Sequence, residues 1–506
     1  MANPNIPVSG TSIGETLSEA LDYKGRPALR SRTGGWTAAA MILVVELNER
    51  LTSLGISVNL VTYLTGTMHL GNAVSANIIT NFVGTYFMLC LLSGFLADTF
   101  LGRYHTIVIF TAVQATPPET QLAVLYLSLY VTALGTGGLK SSVSGLGSDQ
   151  FDEKNPEEKH QMMIFFNWFF FFINLGSLLA VTVLVYIQDE KGRPWGYGIN
   201  AAIIVIGFVV FLSGKRRYRY KRIMGSPITQ IAAVLVGAWR NRGLELPSHP
   251  SLLYEIKSGV NSMVKPKLPH TSQFICLDRA AIVDSEKPPM SKWKLSTVTD
   301  IEEVKMMIRM LPIWATTIIF WTVYAQMGTF SVSQATTMNR SLSSSFQIPA
   351  GSLTVFFVAS TLLTIPIYDR IIVPITRRFT ANPQGMSPLQ RIGVGLVLAT
   401  LAMVSAALTE RRRRNVAWSG ASPMSVFWLT PQFLLVGSGE AFTYIGQLDF
   451  FLRECPAGMK TISTGLFLST LALGFFLSSG LVSAVHAATG KSGWLADNLN
   501  YGKLDY

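Results

Sequence analysis

What most constrains this chain is a run of apolar residues that recurs along its length, each run about as long as a bilayer is thick. A helix rises 1.5 Å per residue, so about 20 mostly apolar residues cross the hydrocarbon core. Stretches of that kind fall near 36–65, 72–97, 104–117, 121–146, 161–188 and 196–213, and again near 304–334, 350–375, 388–409, 424–447 and 461–487. That is roughly eleven spans, six before a long polar stretch and five after it. The organisation they imply is a tail over 1–35, a helix bundle over 36–213, a linker over 214–303 and a second bundle over 304–506.

Composition agrees. Charged residues make up 14% of the 506 positions and hydrophobic ones 49%, against roughly 25% charged in soluble chains. A soluble enzyme is excluded, and no nucleophile–His–Asp constellation is visible. The net charge of +12 raises nucleic acid as a partner. The charge, however, sits between apolar stretches, as in Lys215–Arg222, the pattern of basic loops beside acidic headgroups. The expected partner is therefore a lipid bilayer and not nucleic acid. Cys90, Cys276 and Cys455 have no metal-ligand spacing and form no disulfide framework. Without a phosphate-cradling loop there is no support for ATP-driven transport, and no cofactor or metal is called for.

The first 33 residues are polar, lack an apolar leader core, and carry Lys24, Arg26, Arg30 and Arg32, so the N-terminus is expected in the cytoplasm. That orientation places the linker, the Arg370, Arg377, Arg378 and Arg391 group and the Arg453–Lys460 turn inside, all of them basic. It leaves one exception, Arg411 to Arg414, in an outer loop. Asn339-Arg340-Ser341 also falls outside and makes Asn339 a glycosylation candidate. Within the linker, Ser226–Arg240 reads as an amphipathic helix for the membrane surface or for bridging the halves.

Two internal resemblances relate the halves. Asp98 and Arg103 in Gly94–Tyr104 correspond to Asp369 and Arg370, each pair able to latch a cytoplasmic helix end. Gly135-Thr136-Gly137-Gly138-Leu139-Lys140 echoes Gly437-Ser438-Gly439-Glu440. Paired Gly-interrupted segments in equivalent places point to a carrier's binding site. Small-residue packing explains the glycines but not the ionisable residues that follow them.

Glu46, Glu49 and Arg50 lie inside the first span. Glu46 and Arg50 are four apart and Glu49 is three from Glu46, so both carboxylates share a helix face. Burial and like charge disfavour ionisation of one Glu, while the Arg favours it. A site in that balance takes and releases protons as its surroundings change, and Lys140 is the additional cation.

These motifs, with Phe171–Leu178, Ser148–Asp152 and Gln447–Phe451, resemble the plant nitrate/peptide transporter family of the major facilitator superfamily, closest to its dual-affinity nitrate branch. The resemblance implies an all-α membrane protein of two pseudo-symmetric six-helix halves, on the plasma membrane rather than the tonoplast. It implies proton symport through Glu46, Glu49, Arg50 and Lys140. It also implies a substrate site using Arg50, Lys140, Glu440 and the position of Tyr324. Against that pattern the third span, about 13 residues before Pro117, is short, and the twelfth is missing at Tyr506. Peptide carriers follow Glu-Arg with an aromatic-Tyr-Tyr run; here Leu51-Thr52-Ser53-Leu54 stands instead, which disfavours peptides. Where the nitrate branch has a nitrate-contacting His, this chain has Tyr324, which does not become cationic at working pH. The expected cargo is nitrate with chloride a strong competitor. The alternatives are an organic acid or plant hormone, or a low-flux nitrate sensor. Thr99 matches a family position that resembles a phosphorylation switch, which would make a kinase a partner.

Overall fold

The computed structural model describes residues 16–114, 122–152, 155–221, 227–247, 249, 252–255, 267–283, 293, 295–343, 346–380, 385–456, 459–490, 493–495, 499–500 and 502. The first half contains α1 (Gly35–Gly66), α2 (Asn72–Leu96), α3 (Gly102–Gln114), α4 (Leu122–Ser148), α5 (Pro156–Leu179), α6 (Val185–Glu190) and α7 (Arg193–Ser213). After α8 (Pro227–Arg240) come α9 (Val298–Thr336), α10 (Val355–Ile367), α11 (Val373–Thr380), α12 (Pro388–Trp418), α13 (Thr430–Glu454) and α14 (Lys460–Thr489). Single π-helical turns, Ala97–Leu101, Ala180–Leu184 and Tyr368–Ile372, join α2 to α3, α5 to α6 and α10 to α11. The second and third bend a helix without ending it, whereas the first runs into Gly102 at φ 73°, which breaks α2 from α3.

Local chemistry sets the starts of these helices. The Asn155 side chain accepts from the Glu157 N–H ahead of α5, and Thr297 accepts from Asp300 ahead of α9. Ser387 and Gln390 form a reciprocal capping box ahead of α12, with Pro388 at its first position. Among the described residues, seven helical stretches are long and apolar enough to cross a membrane. α1 is 32 residues long, but Glu46, Glu49 and Arg50 interrupt its apolar surface. α3 has 13 residues, and Pro117-Pro118-Glu119 lies outside the described residues.

By internal packing the chain forms two compact units. One comprises Met1–Leu70, Leu92–Met224 and Arg340–Val358; the other comprises Gly71–Leu91, Gly225–Asn339 and Ala359–Tyr506. In the first unit Ile42, Ile107, Val143 and Phe165 form a core shared by α1, α3, α4 and α5. The N-terminal segment, expected to be a polar tail, is partly built into this unit. β1 (Thr16–Leu21) pairs antiparallel with β2 (Pro27–Leu29) and with β3 (Tyr220–Lys221) just after α7, in the order β2-β1-β3. Arg30 Nη2 meets Asp152 at 2.5 Å, and Arg219 Nη1 meets Glu158 at 2.6 Å. Those cations serve as structural ties.

In the second unit α8 starts at Pro227 and is amphipathic. Val234 and Ala238 pack on the 3-10 turn Ile275–Ala281 and on Ile301 and Val304 of α9, while Leu235 and Trp239 stay exposed. Beside it the fully buried Lys305 ammonium lies 2.7 Å from Asp278 and 2.8 Å from Glu302, with His270 2.9 Å from Asp278. Three such acceptors would suit a metal ion, but the lysine already supplies the cation between the carboxylates.

The arginine run departs from its expected place in a loop. Arg411 to Arg414 continue α12. Buried Arg413 grips buried Glu410 through Nε and Nη2, each at 2.8 Å, and also donates to Thr337 Oγ1 and Asn500 Oδ1. Arg412 lies over the Trp428 ring and Arg414 over that of Trp418.

Candidate functional site

α1 carries the acids. Glu46 and Glu49 are 4% and 2% exposed, although both lie mid-helix in an apolar sequence. Lys140 of α4 brings its ammonium 3.4 Å from Glu49 Oε1, while Oε2 is buried without a hydrogen-bond partner among the described residues. Arg50, one turn on from Glu46, donates its Nε to Ser177 Oγ of α5 at 3.3 Å. α5 comes this close because Gly176 packs on the α1 backbone, where an added Cβ would sit 2.8 Å from Leu47 O. The structure thus joins Glu49 to Lys140 as expected, and adds Ser177 as a partner that the sequence offered only within a motif. With all four ionised the charges cancel; one added proton leaves a single positive charge in excess.

The glycine-rich stretch of α4 makes room for α3. A Cβ at Gly138 would collide with the Phe110 ring. The matching stretch of α13 works through hydroxyls and glycines together. Ser438 Oγ meets Ser360 Oγ (2.9 Å) and Thr364 Oγ1 (3.0 Å), and a Cβ at Gly439 would lie 3.2 Å from Gly395 O of α12. Glu440, half-buried, accepts from Thr361 Oγ1 at 3.3 Å.

Tyr324 of α9 is half-buried in an aromatic group. Its ring lies 5.4 Å from Trp321 and 6.1 Å from Phe475, both edge-on, and Trp321 in turn meets Tyr444. Glu440 and Tyr324 thus belong to the same compact unit, and Glu46, Glu49, Arg50 and Lys140 to the other.

The Asp98–Arg103 pair forms at 3.4 Å, but Arg103 has a closer partner in Asp149, at 2.7 Å. Asp149 stood in a motif without an assigned role; its position one turn past Gly145, which leaves space for the Arg103 side chain, is a three-dimensional fact. The second-half counterpart is different. Asp369 and Arg370 are exposed on their π-helical turn, and neither makes an ion pair among the described residues. Nearby, Arg391 lies over the Tyr368 ring at 4.5 Å and donates Nε to its hydroxyl at 2.8 Å. The Thr99 hydroxyl is buried in the first π-helical turn without a hydrogen-bond partner among the described residues, so a kinase would reach it only if that turn opened. Asn339 is exposed, its backbone bonded to Met424 and Val426.

Comparison with known proteins gives the family. The profile of the POT family matches residues 99–495. Protein NRT1/PTR FAMILY 6.3 of Arabidopsis thaliana is 56% identical, over 98% of this chain and 91% of its own length. The chain belongs to the POT family. Its plant NRT1/PTR branch is equally plain, since Protein NRT1/PTR FAMILY 6.2 from the same organism is also 56% identical, over 97% of this chain and 91% of its own. An auto-inhibited POT family peptide transporter of known structure superposes with a TM-score of 0.69 at 21% identity, covering 90% of each chain, which establishes the fold. This POT-family member is therefore a mostly helical, multi-pass membrane protein of the major facilitator type, a proton-coupled transporter and not an enzyme.

Proposed function

We propose that this POT-family transporter carries a small inorganic anion with protons, nitrate being the main cargo and chloride a strong competitor. The observation that supports this most is the pair of buried acids Glu46 and Glu49 beside the half-buried cations Arg50 and Lys140, with Lys140 3.4 Å from Glu49. Ionised, the group is balanced; a proton on Glu46 or Glu49 leaves Arg50 and Lys140 with charge to spare. An anion drawn to those cations restores neutrality in a medium where net charge is costly. Proton and anion then enter together because each lowers the cost of the other.

Tyr324 and Glu440 select the cargo in this reading. The phenol offers a neutral hydrogen bond where a protonated imidazole would offer charge, so nitrate loses part of its advantage over chloride. Leu51-Thr52-Ser53-Leu54 after Arg50 disfavours peptides. Arg103 with Asp98, and Asp369 with Arg370, serve the cytoplasmic gate, Thr99 is its phosphorylation point, and Asn339 takes glycan outside. The membrane is the plasma membrane, with the N-terminus inside and the bundles 36–213 and 304–506 flanking the linker.

Voltage clamp of the expressed chain across anions and pH tests the proposal. Inward current is expected with nitrate and with chloride, growing as external pH falls. Substrate binding without pH-dependent current would overturn it in favour of a sensor.

A further inference from the structure

We propose that Gln447 is a positioning residue that sets anion selectivity by locking Trp321 against Tyr324. This rests on the assignment of Tyr324 to the substrate and adds to it the element that fixes the aromatic wall.

Gln447 is fully buried on α13, where an amide without partners would be costly. Its three partners come from two helices, α9 and α14. Oε1 accepts from the Trp321 indole N–H at 3.1 Å, and Nε2 donates to Thr317 Oγ1 and Thr470 Oγ1, both at 2.8 Å. The two threonines have already committed their protons to backbone carbonyls: Thr317 to Ile313 and Trp314, and Thr470 to Phe467. Only acceptor lone pairs therefore face the amide from that side. A flipped Gln447 would set its NH₂ against the indole N–H and its carbonyl against hydroxyls with no proton to give. One orientation satisfies every group, and it holds the indole in one place.

That matters because of what the indole touches. Trp321 is 1% exposed and stands 66° edge-on to Tyr324, 90° to Phe320 and 85° to Tyr444. On the other side a Cβ at Gly474 would fall 2.8 Å from the Trp321 carbonyl carbon, so the backbone cannot drift toward α14. The Tyr324 ring is thus held between the Trp321 edge and Phe475, and its direction depends on an amide two contacts away. A binding group held by packing and by such hydrogen bonds recognises its ligand more sharply than one left free.

The test compares Gln447→Met, which keeps length and removes the lock, with Gln447→Glu, which keeps an acceptor for the indole N–H. Both are made in the full chain and assayed for anion currents. Ultraviolet resonance Raman of the indole N–H band, taken as a difference against Trp321→Phe, reads the lock directly. Gln447→Met is expected to release the indole N–H, to raise KM for nitrate about five- to tenfold with maximal current within about twofold, and to shift the nitrate-to-chloride ratio. Gln447→Glu is expected to recover most of that KM. With Tyr324→Phe already in place, Gln447→Met should have little further effect on selectivity. An indole band unchanged in Gln447→Met overturns the lock. A released indole with unchanged KM and ratio overturns its role in selectivity, as does an equal fall of maximal current in both variants. If Tyr324→Phe by itself leaves every anion's KM unchanged, it is the assignment of Tyr324 that fails.

Discussion

The Lys140 ammonium lies 3.4 Å from Glu49 Oε1, bringing a base from α4 to an acid in the middle of α1. Two membrane helices are thereby tied through charges that would be prohibitively costly alone. On the function proposed above, Glu49, within ion-pair distance of Lys140, is the carboxylate to test first for coupling.

Glu49→Gln is accordingly expected to abolish the growth of nitrate current between external pH 7.5 and 5.5, since the neutral amide has no proton to exchange. Lys140→Gln should weaken anion binding as well as pH dependence. Two-electrode recordings with matched surface expression check both. A Glu49→Gln current that still rises as pH falls would remove Glu49 from coupling.

Tyr324→His should move the nitrate-to-chloride preference toward nitrate by about tenfold, the worth of one charge-assisted contact of roughly 1.4 kcal/mol. The effect should be largest at acidic pH, where the imidazole is cationic, and should fade above its ordinary titration range. An unchanged ratio at pH 5.5 would contradict the role given to this position.

Arg103 has unequal partners, and the distances order the variants. Asp149→Asn loses a contact of 2.7 Å, whereas Asp98→Asn loses one of 3.4 Å. The first is expected to cost about 1.5–3 kcal/mol and the second under about 1 kcal/mol. Thermal unfolding in detergent should follow that order; a larger loss for Asp98→Asn would show that the longer pair carries the interaction.

The arginine run gives a graded series. Arg413→Ala leaves the buried Glu410 unpaired and is expected to cost about 3–5 kcal/mol. Arg412→Ala removes a cation–π contact at 4.0 Å and should cost about 0.5–1 kcal/mol. Arg411 is exposed, and Arg411→Ala should be close to neutral. Arg413→Met combined with Glu410→Leu should recover most of the loss in melting temperature, because the uncompensated charge is gone.

Read alone, the sequence determined the class of fold: long apolar runs have few solutions in a bilayer, where every backbone group must be paired within a helix or a closed barrel. It also revealed Glu46, Glu49, Arg50 and Lys140, because charges inside such runs stand out against their neighbours. The partners of those charges were another matter. Ser177 for Arg50, Asp149 for Arg103 and Gln447 for Trp321 are separated from them by 127, 46 and 126 positions. The same holds for the tail, polar by composition yet paired into a sheet with residues beyond α7. It holds again for the arginine run, which resembles an outer loop until Glu410 and Asn500 close around Arg413. Hydropathy reports what a residue costs to bury, whereas a hydrogen bond depends on where two side chains end up. That was decided only when α1, α4 and α5 in one unit, and α9, α13 and α14 in the other, packed at distances that their glycines and hydroxyls allow.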